Sequence, residues 1–187
     1  MHRLFVAIEL PETVKDRLAR LQIGLPGARW VSYDNLHLTL RFIGEVDSVQ
    51  ADDIYAALGR VHAAGFTIEL CDLGLFPPRG MPHTLWVGVR RLPALEQLKG
   101  RIDGALIGAG IGPDDRKFLP HVTIARLHGV RAARLGALLG EIVVDARASF
   151  EVRSFALFSS TLGHGGANYT VEAEFSLEHA AAIRSHA

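Results

Sequence analysis

The sequence predicts an α+β fold of two lobes, with mostly antiparallel sheets, flanking helices, an internal duplication and a central cleft. Three features of the chain support this fold class. Its 187 residues, 49% of them apolar, are enough for one domain with a sizeable core. Strands and helices mix without a strict βαβ rhythm, which favours antiparallel pairing. A tetrapeptide pattern occurs twice and no disordered linker separates the halves, so we expect a single bilobal domain over residues 1–187.

The first half of the chain predicts two strands and two helices. Leu4–Ile8 is apolar and includes β-branched residues, as a buried strand requires. A helix follows over Pro11–Ile23, where apolar residues recur at helical spacing. Apolar and polar residues alternate from Leu36 onward, which predicts a strand that ends at Gly44. Residues 49–61 place their apolar side chains on one helical face.

The second half repeats this kind of pattern. The predicted strands, in chain order, are Phe66–Leu75, Leu85–Val89, His121–Ala125, Phe150–Phe158 and Tyr169–Leu177. Amphipathic spacing predicts a helix over Leu95–Leu106, and a weaker pattern predicts one over Arg131–Leu139. The loop over residues 76–83 is rich in proline and glycine, so we expect it to be exposed.

Charge and cysteine content exclude several classes of protein. Twenty basic and twenty acidic residues give zero net charge and a pI near 7.1, which argues against duplex binding through a broad basic surface. The single cysteine, Cys71, permits no internal disulfide. The apolar stretch Leu4–Ile8 is too short for a signal peptide or a membrane span. We therefore expect a cytoplasmic monomer with no membrane partner, and the absence of nucleotide and metal motifs predicts no cofactor.

The repeated tetrapeptide is the strongest chemical signal. It reads His37-Leu38-Thr39-Leu40 in the first half and begins again at His121, with Thr123 in the position of Thr39. On a strand, the histidine and the threonine two residues later project from one face, about 7 Å apart. Two such pairs facing one cleft would supply an acid, a base and hydroxyl donors, which suits phosphodiester chemistry.

Two other interpretations of the repeat compete with this one. A single His-x-Thr on a strand is usually a hydrogen-bonded structural histidine, but two copies in register make this less favourable. A catalytic zinc ion usually takes three protein ligands, and no third ligand is evident near either copy, so we predict no metal.

The sequence resembles the 2H phosphoesterases, and specifically their RNA 2′,3′-cyclic phosphodiesterase branch, also called 2′-5′ RNA ligases. Segments Phe5–Pro11, Asn35–Gly44 and Pro120–Arg126 are similar to its opening strand and its two motifs. Ser160, Gly166 and Tyr169 also match its closing hairpin, whereas Phe175-Ser176-Leu177 departs from the usual aromatic-Pro-Leu ending.

The resemblance implies a metal-independent hydrolase. Its substrates would be RNA ends or small cyclic nucleotides, and a terminal 2′,3′-cyclic phosphate would be opened to a 2′-phosphate. It further implies that His37 is the proton donor and His121 the proton acceptor, an assignment that spacing alone leaves open. Thr39 and Thr123 would bind the phosphate.

Two arginines are further candidates for phosphate binding. Strict alternation places Arg41 on the face of His37 and Thr39. The same alternation places Arg126 opposite His121, so it contributes only if a bulge or strand end redirects it. Other basic side chains, Arg79, Arg116 and Lys117, lie on predicted loops, where a solvated surface charge is the more frequent outcome.

Three alternatives to cyclic phosphate hydrolysis remain open. The reverse reaction would join RNA halves through a 2′-5′ linkage, with the two histidines exchanging roles. A different cyclic or 2′-5′ linked nucleotide is a second possible substrate. A noncatalytic module that binds RNA ends belongs to another class of protein, and retention of both His-Thr pairs argues against it.

Overall fold

The computed structural model describes residues 1–22, 25–130, 135–136, 148–163 and 166–178. In this part of the chain the helices are α1 (Glu12–Arg20), α2 (Ser48–Leu58) and α3 (Pro93–Gly108), with a 3₁₀ helix at Tyr33–Asn35. The strands are β1 (His2–Glu9), β2 (Ala28–Trp30), β3 (His37–Val46), β4 (Phe66–Phe76), β5 (Thr84–Val89), β6 (His121–Leu127), β7 (Ser149–Val152), β8 (Ser154–Gly163) and β9 (Gly166–Ser176).

These strands form one antiparallel sheet in the order β7-β4-β5-β6-β3-β1-β8-β9, with β2 paired to β6. The central neighbours β3 and β6 carry the two tetrapeptides, and each lobe extends outward from one of them. The unit β1-α1-β3 in one lobe corresponds to β5-α3-β6 in the other. The predicted α+β class, the two lobes and the antiparallel pairing are confirmed.

The three helices cover one face of the sheet. Their buried side chains share a core with apolar residues of the central strands, among them Ile54 of α2, Leu98 of α3, and Leu38 and Val122 of the two tetrapeptides. Burying one such side chain stabilises the fold by about 1.5–3 kcal/mol. Within the described residues these helices leave the opposite face of the sheet, here called the open face, uncovered, as the alternation around the tetrapeptides predicts. This face carries a second, smaller apolar cluster of Phe5, Ala7, Ala156 and Phe158.

Most predicted elements are confirmed near their predicted bounds, with three differences. The strand predicted to end at Gly44 continues to Val46, because Gly44 adopts a φ of 98° that a glycine tolerates within the ladder. The strand predicted over Phe150–Phe158 is two strands, since β7 pairs with β4 in one lobe and β8 with β1 in the other. The helix predicted over Arg131–Leu139 lies outside the described residues except at Leu135 and Gly136.

Candidate active site

The site begins where the two tetrapeptides meet. Leu38 of β3 pairs with Val122 of β6, and both side chains are buried in the core beneath the helices. Because side chains alternate along a strand, the residues on either side of this pair project from the opposite face. The imidazoles and hydroxyls of both tetrapeptides therefore lie together on the open face. Duplication thus produces one site from two halves.

His37 is fixed by two hydrogen bonds. Its Nδ1 lies 2.7 Å from the carbonyl oxygen of Asn35, and its Nε2 lies 3.0 Å from Oγ1 of Thr39. A carbonyl only accepts, so Nδ1 carries the hydrogen and, in the neutral ring, Nε2 accepts from the Thr39 hydroxyl. The Asn35 amide Nδ2 donates to the Ala167 carbonyl at 2.7 Å, which ties this turn to β9.

His121 repeats the same local geometry. Its Nδ1 lies 2.7 Å from the carbonyl oxygen of Leu119, two residues earlier, as His37 does relative to Asn35. The same tautomer follows, with Nδ1 as donor and an Nε2 lone pair available for a substrate proton. Thr123 follows His121 by two residues, as Thr39 follows His37, and both threonines are half-buried.

Aromatic rings surround His37. The ring centroid of Phe5 lies 5.0 Å from that of the imidazole, Tyr169 presents its edge at 5.2 Å, and Phe158 stacks at 6.0 Å. This desolvation lowers the pKa of His37 to about 4, with smaller lowering by the charges of Lys15 and His121, while the hydrogen bond to Asn35 acts in the opposite direction. The imidazole is therefore neutral in the free protein at pH 7.

His121 has aromatic neighbours from the other lobe. Phe76 presents its edge at 5.1 Å and Trp86 lies at 5.8 Å, both measured between ring centroids. The indole lies against the backbone at Gly74, where a Cβ would come within 2.1 Å of it. Burial lowers the pKa of His121, the charge of Arg126 lowers it further, and the hydrogen bond to Leu119 opposes both effects.

A β-bulge changes the position of Arg41. Val6 of β1 pairs with Arg41 and Ala7 pairs with Thr39, so Leu40 is an extra residue on β3. Past this bulge the alternation inverts, and Arg41 lies in the core with 4% of its surface exposed while Phe42 is 54% exposed. The expectation that Arg41 shares the face of His37 is therefore wrong.

Arg41 instead joins a buried charge cluster behind the site. Its Nη1 lies 3.5 Å from Oδ1 of Asp103 and 3.5 Å from Oδ2 of Asp114, and its Nη2 donates to the carbonyl of Gly112. Lys99 also pairs with Asp103, one turn earlier on α3. Arg41 thus connects β3 to α3 and to the loop that follows it.

The matching bulge in β6 places Arg126 on the open face. Leu85 of β5 pairs with Ala125 and Trp86 pairs with Thr123, so Ile124 is the extra residue. The predicted condition for a contribution from Arg126, a bulge that redirects it, is met. Its Nη1 donates to Oγ1 of Thr84 at 2.9 Å, which holds the guanidinium on the side of His121.

A cavity of about 440 Å³ continues the site along the first lobe. Phe5 and Tyr169, which contact His37, form part of its wall, and Arg126 forms another part. Phe42 lines it as well, in the exposed position created by the β3 bulge.

Sequence reasoning missed the residues that shape the surroundings of the histidines. Phe5, Phe158 and Tyr169 enclose His37, and Thr84 positions Arg126. In a strand that is apolar on both faces, alternation does not indicate which aromatic side chain faces the site. The apolar context of Phe76 and Trp86 favours core packing over stacking on a base, and both are half-buried beside His121.

Within the described ranges, no three or more His, Cys, Asp or Glu side chains are arranged to hold a metal ion. No helix in the same ranges has the length and apolar character needed to cross a bilayer.

Comparison with known proteins gives two matches to one family. The family described as LigT like Phosphoesterase matches residues 8–86 and residues 89–169. Each matched segment contains one copy of the tetrapeptide, beginning at His37 and at His121. The two family matches thus show in the sequence the same duplication that the sheet shows in the structure.

Curated relatives carry related names. An RNA 2′,3′-cyclic phosphodiesterase of Aeropyrum pernix is 38% identical over 160 residues, which are 82% of this chain and 90% of the relative. The protein of that name from Escherichia coli is 30% identical over 172 residues, 90% of this chain and 92% of the relative.

Solved structures agree in fold. A crystal structure from Thermus thermophilus has a TM-score of 0.77 at 28% identity, covering 95% of this chain and 99% of that one. Escherichia coli LigT complexed with 3′-AMP has a TM-score of 0.75 at 27% identity, covering 94% and 98%. The fold and the paired motifs define a 2H phosphoesterase. Within that class, the chain belongs to the LigT-like phosphoesterase family, and the resemblance predicted from the sequence is confirmed.

Proposed function

We propose that this protein hydrolyses the terminal 2′,3′-cyclic phosphate of RNA to a 2′-phosphomonoester, using His37 and His121 as acid and base. The observation that carries the proposal is the matched pair of imidazoles on adjacent strands. Each donates from Nδ1 to a backbone carbonyl at 2.7 Å, which leaves the Nε2 of His121 for substrate. The Nε2 of His37 accepts from the Thr39 hydroxyl in the free protein and becomes available when that hydroxyl turns to a phosphate oxygen. Relatives that carry the name RNA 2′,3′-cyclic phosphodiesterase support the substrate class.

The reaction needs one proton removed and one supplied. The Nε2 of neutral His121 takes a proton from water as its oxygen attacks phosphorus, and the bond from phosphorus to the 3′-oxygen breaks. Protonated His37 gives its Nε2 proton to that oxygen, so the product carries a 3′-hydroxyl and a 2′-phosphate. Thr39 and Thr123 donate to the nonbridging oxygens, and Arg126 stabilises their negative charge.

The division of roles follows the family resemblance. Burial lowers the pKa of His37 to about 4, so His37 acts as the donor only after the negative charge of the bound phosphodiester has favoured its protonated form. His121 lies beside Arg126, whose charge disfavours protonation and so favours a base. Arg41 has no part in phosphate binding in this proposal, because it is buried behind the site.

The direct test uses an RNA oligonucleotide that ends in a 2′,3′-cyclic phosphate. Hydrolysis is expected to give only the 2′-phosphomonoester, identified by ³¹P NMR. His37→Ala and His121→Ala are each expected to lose about 10²–10⁴-fold in kcat. Recovery of the 3′-phosphomonoester, or full activity in both variants, would contradict the proposal. Binding without turnover by the wild-type protein would favour the RNA-end binding module.

The roles are separated by an activated substrate. If His37 protonates the leaving oxygen, an ester of similar shape with a nitrophenolate leaving group needs no acid, so His37→Ala is expected to be largely rescued. His121→Ala is not, because water must still be activated. The reversed rescue pattern would show that His121 is the acid and His37 the base.

A further inference from the structure

The cavity beside His37 is strongly basic although the whole chain has zero net charge. Its wall contains the side chains of Arg3, Arg116 and Arg126 and the hydroxyl residues Ser160 and Tyr169. Among the residues that the structure describes, no aspartate or glutamate lines it. Such a wall attracts an anion and offers it hydrogen-bond donors. The catalytic phosphate is already served by the two histidines, their threonines and Arg126, so Arg3 and Arg116 are left for another anionic group.

Arg3 is free to bind that group. It lies two residues before Phe5 on β1, so it projects from the same open face of the sheet. Within the described ranges, the exposed Arg3 side chain makes no ion pair and no side-chain hydrogen bond. An exposed guanidinium without a carboxylate partner can take a phosphate bidentately and without breaking an existing contact.

Contacts with Asp114 and Phe42 hold Arg116 at the wall of the cavity. Its Nε donates to Oδ1 of Asp114 at 2.9 Å, and its guanidinium lies 5.6 Å from the centre of the Phe42 ring. Asp114 is in turn 3.5 Å from buried Arg41, which also binds the carbonyl of Gly112. The loop is thus fixed to the core, and Arg116 is positioned over the exposed face of Phe42.

The linked charged side chains around Arg41 and Arg116 carry a net positive charge. Asp103 and Asp114 are the carboxylates, while Arg41, Lys99 and Arg116 supply three positive charges. Because Asp114 is shared between a buried and an exposed arginine, it does not fully neutralise the exposed one. One positive charge remains, at the edge that faces the cavity.

We propose that Arg3 and Arg116 form a subsite for the phosphodiester immediately upstream of the cyclic phosphate, so that the preferred substrate is an oligonucleotide end and not a cyclic mononucleotide. This proposal rests on the proposed function. The occupant is the same RNA chain, because the cavity shares Phe5 and Tyr169 with the His37 site and so begins where the terminal nucleotide lies. The planar guanidinium groups match the geometry of a phosphodiester, and Ser160 and Arg126 line the same cavity with further donors.

The test compares two substrates with the same reactive end. The kcat/KM of a trinucleotide with a 2′,3′-cyclic phosphate is divided by that of the matching cyclic mononucleotide, for the wild-type protein, Arg3→Gln, Arg116→Gln and the double variant. We expect the ratio to fall about tenfold or more in the double variant. Activity on the mononucleotide should stay within about twofold, because neither arginine touches the cyclic phosphate. Arg60→Gln is the matched control, since Arg60 lines a groove between α2 and α3 on the helix-covered side.

Affinity measurements test the subsite independently of turnover. Affinity is measured for a trinucleotide and for a mononucleotide that each end in a 2′-phosphate, with the same variants. Tighter trinucleotide binding that is lost in the double variant supports the subsite. Equal affinity of the wild-type protein for both ligands, or an unchanged ratio in the double variant, overturns it. Equal loss on both substrates would also overturn it, since the arginines would then act on the catalytic phosphate. Failure of the proposed function is distinct, because neither cyclic substrate would then be hydrolysed by the wild-type protein.

Discussion

At the residue scale, the two histidines start from the same tautomer and differ in what surrounds them. His37 lies against three aromatic rings from β1, β8 and β9, whereas His121 lies beside two rings and the charge of Arg126. Both pKa values are lowered, mainly by burial. The proposed mechanism requires one ring to be protonated, so the fraction of active protein should depend on pH through the coupled pair.

We expect the pH profile of kcat/KM to be bell-shaped with an optimum below pH 6.5. The sign follows from the shifts: the pKa of His37 is lowered to about 4 and that of His121 is lowered from 6.5. Activity in the free protein is lost as pH rises through the higher of the two apparent values, because the coupled pair then loses its one remaining proton. Initial rates from about pH 3.5 to about pH 9 measure this.

The profile of kcat should have its optimum at higher pH. A bound phosphodiester carries a negative charge, which favours the protonated imidazole and raises both pKa values in the complex. An optimum of kcat/KM at or above about pH 8 would contradict the desolvated setting of His37. If kcat and kcat/KM had their optima at the same pH, the charge of the bound substrate would not raise the pKa values of the two histidines.

The two arginines near the tetrapeptides should behave oppositely when replaced. Arg126→Gln is expected to lower kcat/KM about 10²-fold, because the side chain lines the proposed substrate cavity. The free energy of unfolding should fall by no more than about 1.5 kcal/mol, since only the hydrogen bond to Thr84 is lost. Arg41→Gln is expected to lower the free energy of unfolding by about 1.5–3 kcal/mol, because the Gly112 carbonyl loses its charged donor and Asp103 and Asp114 each lose one of two basic partners. Urea unfolding and initial rates on the folded fraction measure the pair.

Either of two results would contradict the different roles given to Arg41 and Arg126. If Arg41→Gln unfolds at the same urea concentration as the wild type, the buried cluster does not hold β3 to α3. If Arg126→Gln keeps full activity, Arg126 does not contact the phosphate, and the bulge in β6 has no catalytic consequence.

At the scale of elements, β4 and β5 place Trp86 beside His121 through close contact at Gly74. A Cβ on residue 74 would lie 2.1 Å from the indole, so Gly74→Ala forces the ring or the strand to move. We expect a loss of about 1–3 kcal/mol in the free energy of unfolding, together with reduced kcat. Combining Gly74→Ala with Trp86→Phe should recover part of the stability, since phenylalanine is smaller. Equal stability of Gly74→Ala and the wild type would show that the strands separate here without cost.

The paired bulges are the other feature at this scale. Leu40 and Ile124 are each the third residue after the histidine of their copy, and each adds one residue to its strand. The bulge turns the fifth residue after each histidine, Phe42 or Arg126, toward the open face. The duplicated halves therefore share the β-bulge but differ in the side chain that it exposes. This side chain is an aromatic ring in the first lobe and a cation in the second.

At the scale of the whole molecule, zero net charge and a local basic cavity together predict a modest dependence on salt. With two or three phosphate contacts, a plot of log kcat/KM for an oligonucleotide against log salt concentration should have a slope of about −1.5 to −2. The cyclic mononucleotide should give a smaller slope, because it reaches fewer arginines. A slope of about −6 would indicate a larger basic surface than the cavity provides.

Activity is also expected to be unchanged in excess chelator, because the proposed chemistry uses imidazole and hydroxyl groups of the chain itself. The measurement compares initial rates after dialysis against EDTA with rates after zinc addition. Loss of activity in EDTA and its recovery with zinc would overturn the acid-base proposal.

The sequence by itself determined the class of fold, most of the helices and strands, and the two histidines with their threonines. These features have local signals: strand alternation, helical spacing and a motif that occurs twice. The tertiary structure decided which residues surround that site. Whether Arg41 or Arg126 faces the cleft depends on one extra residue opposite a neighbouring strand, and a bulge is defined by pairing between strands, which periodicity within one strand does not contain. The aromatic rings around His37 come from β1, β8 and β9, so their contact with it, and the low pKa that follows, depends on strand order in the sheet.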